Sequence, residues 1–403
     1  MMRALKNSGI SWIGAIPEGW GTTRLKKVAT PQKGKAIDFP IEGNEGDVAY
    51  LNGGVFPSFY VNRHNTKGST IAISEGGASA GHVQFMESPF WCGGHCYAVT
   101  PHRGQNNKFL FWSIKAAESV LKESKTGTAM PNLKQNEVLN LSLPTPSSEE
   151  QVRISNFLDK KNLELDQEVS LLRKKISLLQ EYRKSMIQKL VTSGSENSPP
   201  MKPALSSWFS TIPSSWQSKR IKSVTKPTVP TPPPDEYVGL EHISSWTGAY
   251  ETKSRKSLEV KTFFACREGT ILVSKLRPYL AKAFLAKTDL SCTTELIPLS
   301  FKPEILPEYA AYLMICPGVI QSLEDKAGGT KMPRISIETL QDLVIPVPPI
   351  SEQENICGCI SSLTNKIDRS IEATKSKISL LIEYRQALIF EAVTGKLDIP
   401  SVP

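Results

Sequence analysis

Apolar residues recur at every seventh position in two long segments of this chain. In the first, Leu158, Leu165, Leu172, Leu179 and Met186 alternate with Asn162, Val169, Ile176, Arg183 and Leu190 four positions on. In the second, Ile360, Ile367, Thr374, Leu381 and Leu388 share a stripe with Ile371, Ile378, Arg385 and Ala392. Such a double spacing predicts a helix with one sticky seam, the pattern of coiled-coil pairing. Each stripe is too long to leave in water, so the simplest partner for each helix is the other. Packing of each helix on its own domain is the alternative. Ser148 with Gln151, and Ser351 with Glu354, are the expected N-terminal capping boxes. Gly194 after Thr192, and Gly395 after Thr394, are the expected stops.

Elsewhere the pattern is short and β-rich. Thr70-Ile71-Ala72-Ile73-Ser74 runs into Gly76-Gly77-Ala78-Ser79-Ala80-Gly81-His82, and Gly269-Thr270-Ile271-Leu272-Val273-Ser274 into Lys275-Leu276-Arg277-Pro278-Tyr279-Leu280-Ala281-Lys282. Both read as strands feeding loops. The second loop sets Lys275, Arg277 and Lys282 around Tyr279, a combination suited to phosphate and base contacts, with a plain solvated loop as the alternative. The first is a turn, with Ser79 and His82 positioned to approach a ligand closely if it has that role.

The chain is written twice. Lys175-Ile176-Ser177-Leu178-Leu179-Gln180-Glu181-Tyr182-Arg183 returns as Lys377-Ile378-Ser379-Leu380-Leu381-Ile382-Glu383-Tyr384-Arg385, an offset of 202. Ser11-Trp12, Ile16-Pro17, Trp20, Arg24, Lys26 and Val28 return as Ser207-Trp208, Ile212-Pro213, Trp216, Arg220, Lys222 and Val224, an offset of 196. Gly127-Thr128-Ala129-Met130-Pro131 returns as Gly329-Thr330-Lys331-Met332-Pro333. Between these anchors, residues 29 to 126 and 225 to 328 share little. A repeated frame with divergent filling is what a protein needs if each copy reads a different partner.

The expected boundaries are a first domain over 1–147, a long helix over 148–193, a linker over 194–206, a second domain over 207–349 and a second long helix over 350–396. A helix from Ser148 to Thr192 spans about 68 Å at about 1.5 Å per residue. The 14 residues from Ser193 to Ser206 cover at most about 50 Å when stretched, so an antiparallel pair is the easier closure. The fold class is therefore α/β (α+β), two mixed domains on an antiparallel helical pair with an internal pseudo-two-fold repeat. The seam residues Leu158, Leu165, Leu172, Leu179, Ile371, Ile378 and Leu381 are expected to pair the helices. Arg183 and Arg385, charged residues on an apolar seam, are expected to pair across it or to meet a partner subunit.

Composition narrows the function. A formal charge of +9 favours a polyanionic partner, though many basic proteins bind no nucleic acid. Seven cysteines, an odd number scattered through 403 residues, favour reduced thiols, and no apolar run or leader pattern points to a membrane or export. A cytoplasmic location is the expectation.

The chain resembles the specificity subunits of Type I restriction-modification systems. The resemblance rests on Lys6-Asn7-Ser8-Gly9-Ile10-Ser11-Trp12-Ile13-Gly14-Ala15-Ile16-Pro17-Glu18-Gly19-Trp20 and on a twice-repeated order: variable domain, Gly-Thr-x-Met-Pro, a Pro-x-Pro step, long helix. It implies a subunit with no chemistry of its own. Each target recognition domain would read half of a bipartite, asymmetric site on double-stranded DNA, and the helices would set the spacer, at most roughly 20 base pairs. The implied partners are two modification subunits, which methylate adenine N6 with S-adenosylmethionine, and restriction subunits that translocate and cut DNA; S-adenosylmethionine, ATP and Mg would sit on those partners.

The residues agree with that division of labour. The chain has no Asn-Pro-Pro-Tyr/Phe motif for a flipped base, no Gly-x-x-x-x-Gly-Lys-Ser/Thr loop and no Gly-x-Gly-x-x-Gly loop. Cys92-Gly93-Gly94-His95-Cys96 offers three metal-capable side chains without an obvious fourth, so no metal site is expected. Cys357, on the seam, reads as packing. Lys134, Lys331 and Arg334, beside the repeated Gly-Thr-x-Met-Pro, are set either to touch DNA or to lock domain to helix. Trp12, Trp20, Trp208 and Trp216 are expected to anchor packing. A protein-holding scaffold and a fused methyltransferase or nuclease are the rival readings; sequence-selective DNA retention and methyl transfer by the lone chain discriminate them.

Overall fold

The computed structural model describes residues 4–39, 46–127, 131–194, 200–227, 236–251, 263–329 and 332–400. They divide into two compact units. Unit 1 is Met1–Leu172 with Ser376–Pro403, and unit 2 is Arg173–Lys375.

Unit 1 is built on a four-stranded antiparallel sheet in the order Ala29–Lys33, Cys96–Pro101, Thr70–Ser74, Val83–Met86. Thr70–Ser74 is buried along its whole length, which is why it reads as a continuous β-rich run rather than an alternating one. A smaller sheet places Val48–Leu51 between Phe59–Val61 and Trp91–Cys92, the last pairing parallel. The helix Asn107–Ala116, capped by Asn106 accepting the Phe109 N–H at 2.9 Å, lays Phe109, Leu110 and Ile114 into the core.

Unit 2 repeats the design with other residues. Its main sheet runs Thr225–Lys226, Leu296–Phe301, Ile271–Ser274, Ala283–Leu285, and its small sheet joins Tyr237–Val238 in parallel to Leu290–Thr293, with Phe263–Cys266 on the far side. The segments that defied alignment thus share one main sheet, while their small sheets add the third strand at opposite edges. Ile71 and Ile271, Val83 and Ala283, and Trp112 and Tyr312 hold equivalent places at an offset of 200, between the 196 and 202 of the flanks.

The repeated tryptophans are structural anchors, as expected. Trp20 and Trp216 are buried, and their indole N–H groups donate to Glu150 at 3.0 Å and Glu352 at 2.7 Å in the first turn of each long helix. Trp12 and Trp208 donate to the carbonyls of Ser142 at 3.1 Å and Val344 at 2.8 Å. Each domain is thereby pinned to the start of its own helix.

The long helices run Ser148–Ser193 and Ile350–Val393. Their first turns differ from expectation. Ser147, not Ser148, caps the first, its hydroxyl accepting the Glu150 N–H at 3.3 Å while Glu150 accepts the Ser147 N–H at 3.4 Å. In the second, Pro349 supplies the first carbonyl and Ser351 lies inside the turn. Gln151 and the fully buried Gln353 instead donate back to the carbonyls of Pro146 at 3.2 Å and Pro348 at 2.9 Å. The stops are as expected: Gly194 and Gly395 have φ of 74° and 72°.

Within each unit the two helix segments lie antiparallel. In unit 1 Arg385 pairs with Asp166 and Lys377 with Glu168, while Leu158 shares a core with Leu388, Ile389 and Ala392. In unit 2 Arg183 pairs with Asp368, and Ile187, Leu190 and Val191 share a core with Ile356 and Ile360. Of the seam residues, Leu158, Leu165 and Ile371 are buried and Leu172, Leu179, Ile378 and Leu381 half-buried. The helices also enter their domain cores, so packing on the partner helix and packing on the domain coexist. No described helix is long and apolar enough to cross a membrane.

Candidate nucleic-acid interface

The loops that follow the central strands of the two units are held by the same backbone bonds. Ser74 N–H donates to His82 and Ser274 N–H to Lys282, closing each loop at 2.9 and 3.0 Å. Glu75 N–H meets the His95 carbonyl at 2.8 Å and Lys275 N–H meets that of Glu295 at 2.9 Å. Gly77 N–H donates to Pro131 at 2.9 Å and Arg277 N–H to Pro333 at 2.8 Å, and Leu133 and Ile335 donate back to Glu75 and Lys275. The described ends of the Gly-Thr-x-Met-Pro segments therefore lock onto these loops; Thr128, Ala129, Met130, Thr330 and Lys331 lie outside the described residues.

The same backbone path carries different chemistry. Unit 1 takes its two left-handed corners with Gly77 and Gly81, at φ of 76° and 88°. Unit 2 takes them with Arg277 and Ala281, at 49° and 47°. A side chain in that conformation costs about 1 kcal/mol or more, a strain that clusters at functional sites. Glu75 of unit 1 is replaced by Lys275 in unit 2, and His95 by Glu295, so the carboxylate changes place between matched positions.

The side chains divide into those engaged within the protein and those turned to solvent. His82 faces inward, 3.4 Å from Glu118, and Ser79 is half-buried, its carbonyl accepting the His82 N–H at 2.9 Å. Burial works to raise the Glu118 carboxyl, but His82, Lys115 and Lys122 outweigh it and hold the group well below the usual carboxylate range. Lys275 donates to the Thr294 carbonyl and Lys282 to that of Leu240, each at 2.6 Å. Arg334 pairs with Glu295 at 3.2 Å. Lys134, Arg277 and Tyr279 are exposed.

Spacing alone missed two features. In unit 1 Glu75 is buried and gathers Lys33 at 2.6 Å and Tyr97 at 3.0 Å, and Val55 and Phe56 project from a neighbouring loop. The Gly53-Gly54 pair was the available signal for that loop. In unit 2 a groove of about 560 Å3 beside the loop is lined by Phe264, Lys275, Leu296, Arg334 and Ile337. Among the described residues no group of three or more His, Cys, Asp or Glu is placed to hold a metal ion.

The repeat is matched by a known family. The profile of the Type I restriction modification DNA specificity domain fits residues 17–178 and again 213–380. The chain belongs to this family. Its relatives include the EcoDI specificity subunit of Escherichia coli, 22% identical over 95% of this chain and 90% of the relative. The MjaVIII specificity subunit of Methanocaldococcus jannaschii is 23% identical over 96% of this chain and 95% of its own. A chain from a structure of a type I restriction-modification system, determined to explain complex assembly and conformational transition, shares the fold with a TM-score of 0.65 at 18% identity, over 95% of this chain and 99% of that one. The chain is accordingly a DNA-specificity subunit, a recognition component and not the catalyst of its system.

Proposed function

We propose that units 1 and 2 each read one half of a bipartite, asymmetric site on double-stranded DNA, with the long helices setting the unread spacer. One observation carries this reading: two copies of a single fold, held by matched backbone bonds, present Gly77, Glu75 and His95 in one and Arg277, Lys275 and Glu295 in the other. A scaffold that only held two identical partners would have no use for that divergence. Arg277, Tyr279, Lys134 and Arg334 serve as contacts to phosphates or bases, with Lys331 as a further candidate. Ser79, His82, Lys275 and Lys282 shape their loops through the bonds described above.

The partners are modification subunits, which supply S-adenosylmethionine and methylate adenine, and restriction subunits, which use ATP and Mg; all three ligands belong on those chains. Leu178 with Tyr182, and Leu380 with Tyr384, are exposed at positions 202 apart and form a repeated apolar pair suited to docking two copies of one partner. Such a complex works in the cytoplasm, where its DNA is.

Mapping N6-methyladenine in the host genome with and without this chain tests the reading. The expected result is a split motif with a fixed gap that disappears when the chain is removed. Methylation that is unchanged, or that follows a single continuous motif, overturns it.

A further inference from the structure

The loop Asn52–Ser58, next to the proposed reading face, carries the most exposed large apolar side chain among the described residues of unit 1. Phe56 is 79% exposed and Val55 42%. Single exposed apolar residues are ordinary, and what sets this pair apart is how firmly it is held. Ser58 N–H donates to Tyr50 at 2.9 Å, and Tyr50 stacks on Phe59 with centroids 4.5 Å apart, closing the neck of the loop. The Gly54 carbonyl accepts the Ser74 hydroxyl at 3.3 Å, and the Asn52 side chain accepts the His95 N–H at 3.1 Å. Gly53, at φ 86°, runs so close that a Cβ there would stand 3.0 Å from the His95 carbonyl oxygen and 3.3 Å from that of Gly76. The loop is thus bolted to the two turns that hold the proposed reading loop, with Val55-Phe56-Pro57 at its tip.

Unit 2 indicates that the fold does not need this tip. After its equivalent strand, Tyr237–Val238, the chain turns Trp246 back onto its own unit. The Trp246 backbone N–H donates to the Ala281 carbonyl at 3.1 Å, its own carbonyl accepts from Arg183 at 2.9 Å, and its ring centre lies 3.5 Å from the Lys184 ammonium. A fold that holds Trp246 against its own helix in one copy and bares Phe56 in the other does not itself require the bare ring. The side chains of Val55, Phe56 and Pro57 hold no hydrogen-bonding group, and Pro57 lacks a backbone N–H as well. Such side chains can recognise a base edge only by apolar contact, and the apolar feature of the major groove is the 5-methyl group of thymine.

We infer that Phe56, supported by Val55, reads a thymine methyl in the half-site of unit 1. The inference rests on the proposed function, since it takes this face to be the one that meets DNA. The test uses the complex assembled with its modification subunits and synthetic duplexes bearing the mapped motif, each thymine of the unit 1 half replaced in turn by uracil. One replacement is expected to weaken binding about 3- to 10-fold, the scale of one methyl group removed from water. Phe56→Ala should lose the same factor on the thymine duplex and nothing more on the uracil duplex, and Phe56→Leu should retain part of the preference. If every uracil is tolerated by the wild-type complex, or if Phe56→Ala weakens all duplexes alike, the inference fails while base selection in that half still stands. A wild-type complex that selects no base in that half refutes the proposed function itself.

Discussion

Arg385 and Asp166 form an ion pair at 2.6 Å in unit 1, and their counterparts 202 positions away, Arg183 and Asp368, form one at 3.7 Å in unit 2. Each pair joins the two long helices within its unit. The seam arginines, which look like errors in a heptad, thus have acidic partners on the facing helix, and they tie the antiparallel register as a buried polar residue does in other coiled coils.

The two arginines differ in burial, and their removal should cost different amounts. Arg183 is 8% exposed and also donates to the Trp246 carbonyl at 2.9 Å. Arg183→Leu leaves that carbonyl unpaired and should destabilise unit 2 by about 1–3 kcal/mol. Arg385→Leu breaks a pair whose acid is largely in water and should cost under about 1 kcal/mol. Urea unfolding of both variants measures the difference; equal losses would contradict the assignment.

Arg277 sits in a backbone conformation that glycine adopts freely, so Arg277→Gly should leave thermal stability unchanged or raised by up to about 1 kcal/mol. DNA binding by the assembled complex should nonetheless weaken, with the slope of log affinity against log salt falling by about 0.9, one phosphate contact. Melting curves and a salt titration test the two halves of this expectation separately. In unit 1, Gly81→Ala has the opposite character. Its Cβ would lie 2.8 Å from the Lys122 backbone nitrogen, and loss of stability should come first.

Glu118 links folding of unit 1 to pH. Its carboxyl titrates lower when folded than unfolded, so the unfolded chain takes up a proton first as pH falls. The stabilisation is complete above the unfolded value of about 4.3 and is lost progressively below it. Glu118→Gln should therefore be less stable than wild type at pH 7, and the gap should narrow steadily between about pH 5 and pH 3. A gap independent of pH would separate Glu118 from the Lys115 and Lys122 charges beside it.

Exchange of residues 225–328 for the corresponding insert of another family member should change one half of the methylated motif and leave the other intact. Trp246 lies inside that insert and holds Arg183, which lies outside it. An incoming insert that offers no carbonyl there should fold less stably with Arg183 than with Leu at that position. Methylation mapping and urea unfolding of the chimaera with each residue check both statements.

The frame was legible because its signals are local and repeated. The heptads of Leu158 to Leu190 and Ile360 to Ala392, the tryptophan pairs and the glycine stops reappear in the structure at the residues that the pattern named. Helix starts were harder. Ser147 and Ser148 are equally good caps by composition, and the Trp20 bond to Glu150, from 130 residues away, goes with Ser147. The surroundings of the candidate contact residues were harder still. Lys275 and Lys282 look exposed in sequence, yet their ammonium groups reach carbonyls at Thr294 and Leu240 that only the fold brings near.

From the amino-acid order alone came the duplication, the two long helices, the β-rich mixed domains and the resemblance that the family match bears out, because periodicity and repetition survive without any knowledge of long-range contacts. Tertiary structure decided that the described parts of residues 29 to 126 and 225 to 328 share one four-stranded sheet, since a sheet asks only that apolar side chains fall on the buried face and leaves their identity open. It also decided which charged groups reach solvent. A lysine or histidine is engaged or exposed according to which carbonyl or carboxylate another strand sets beside it, and that neighbour can be 20 or 100 residues away in the chain.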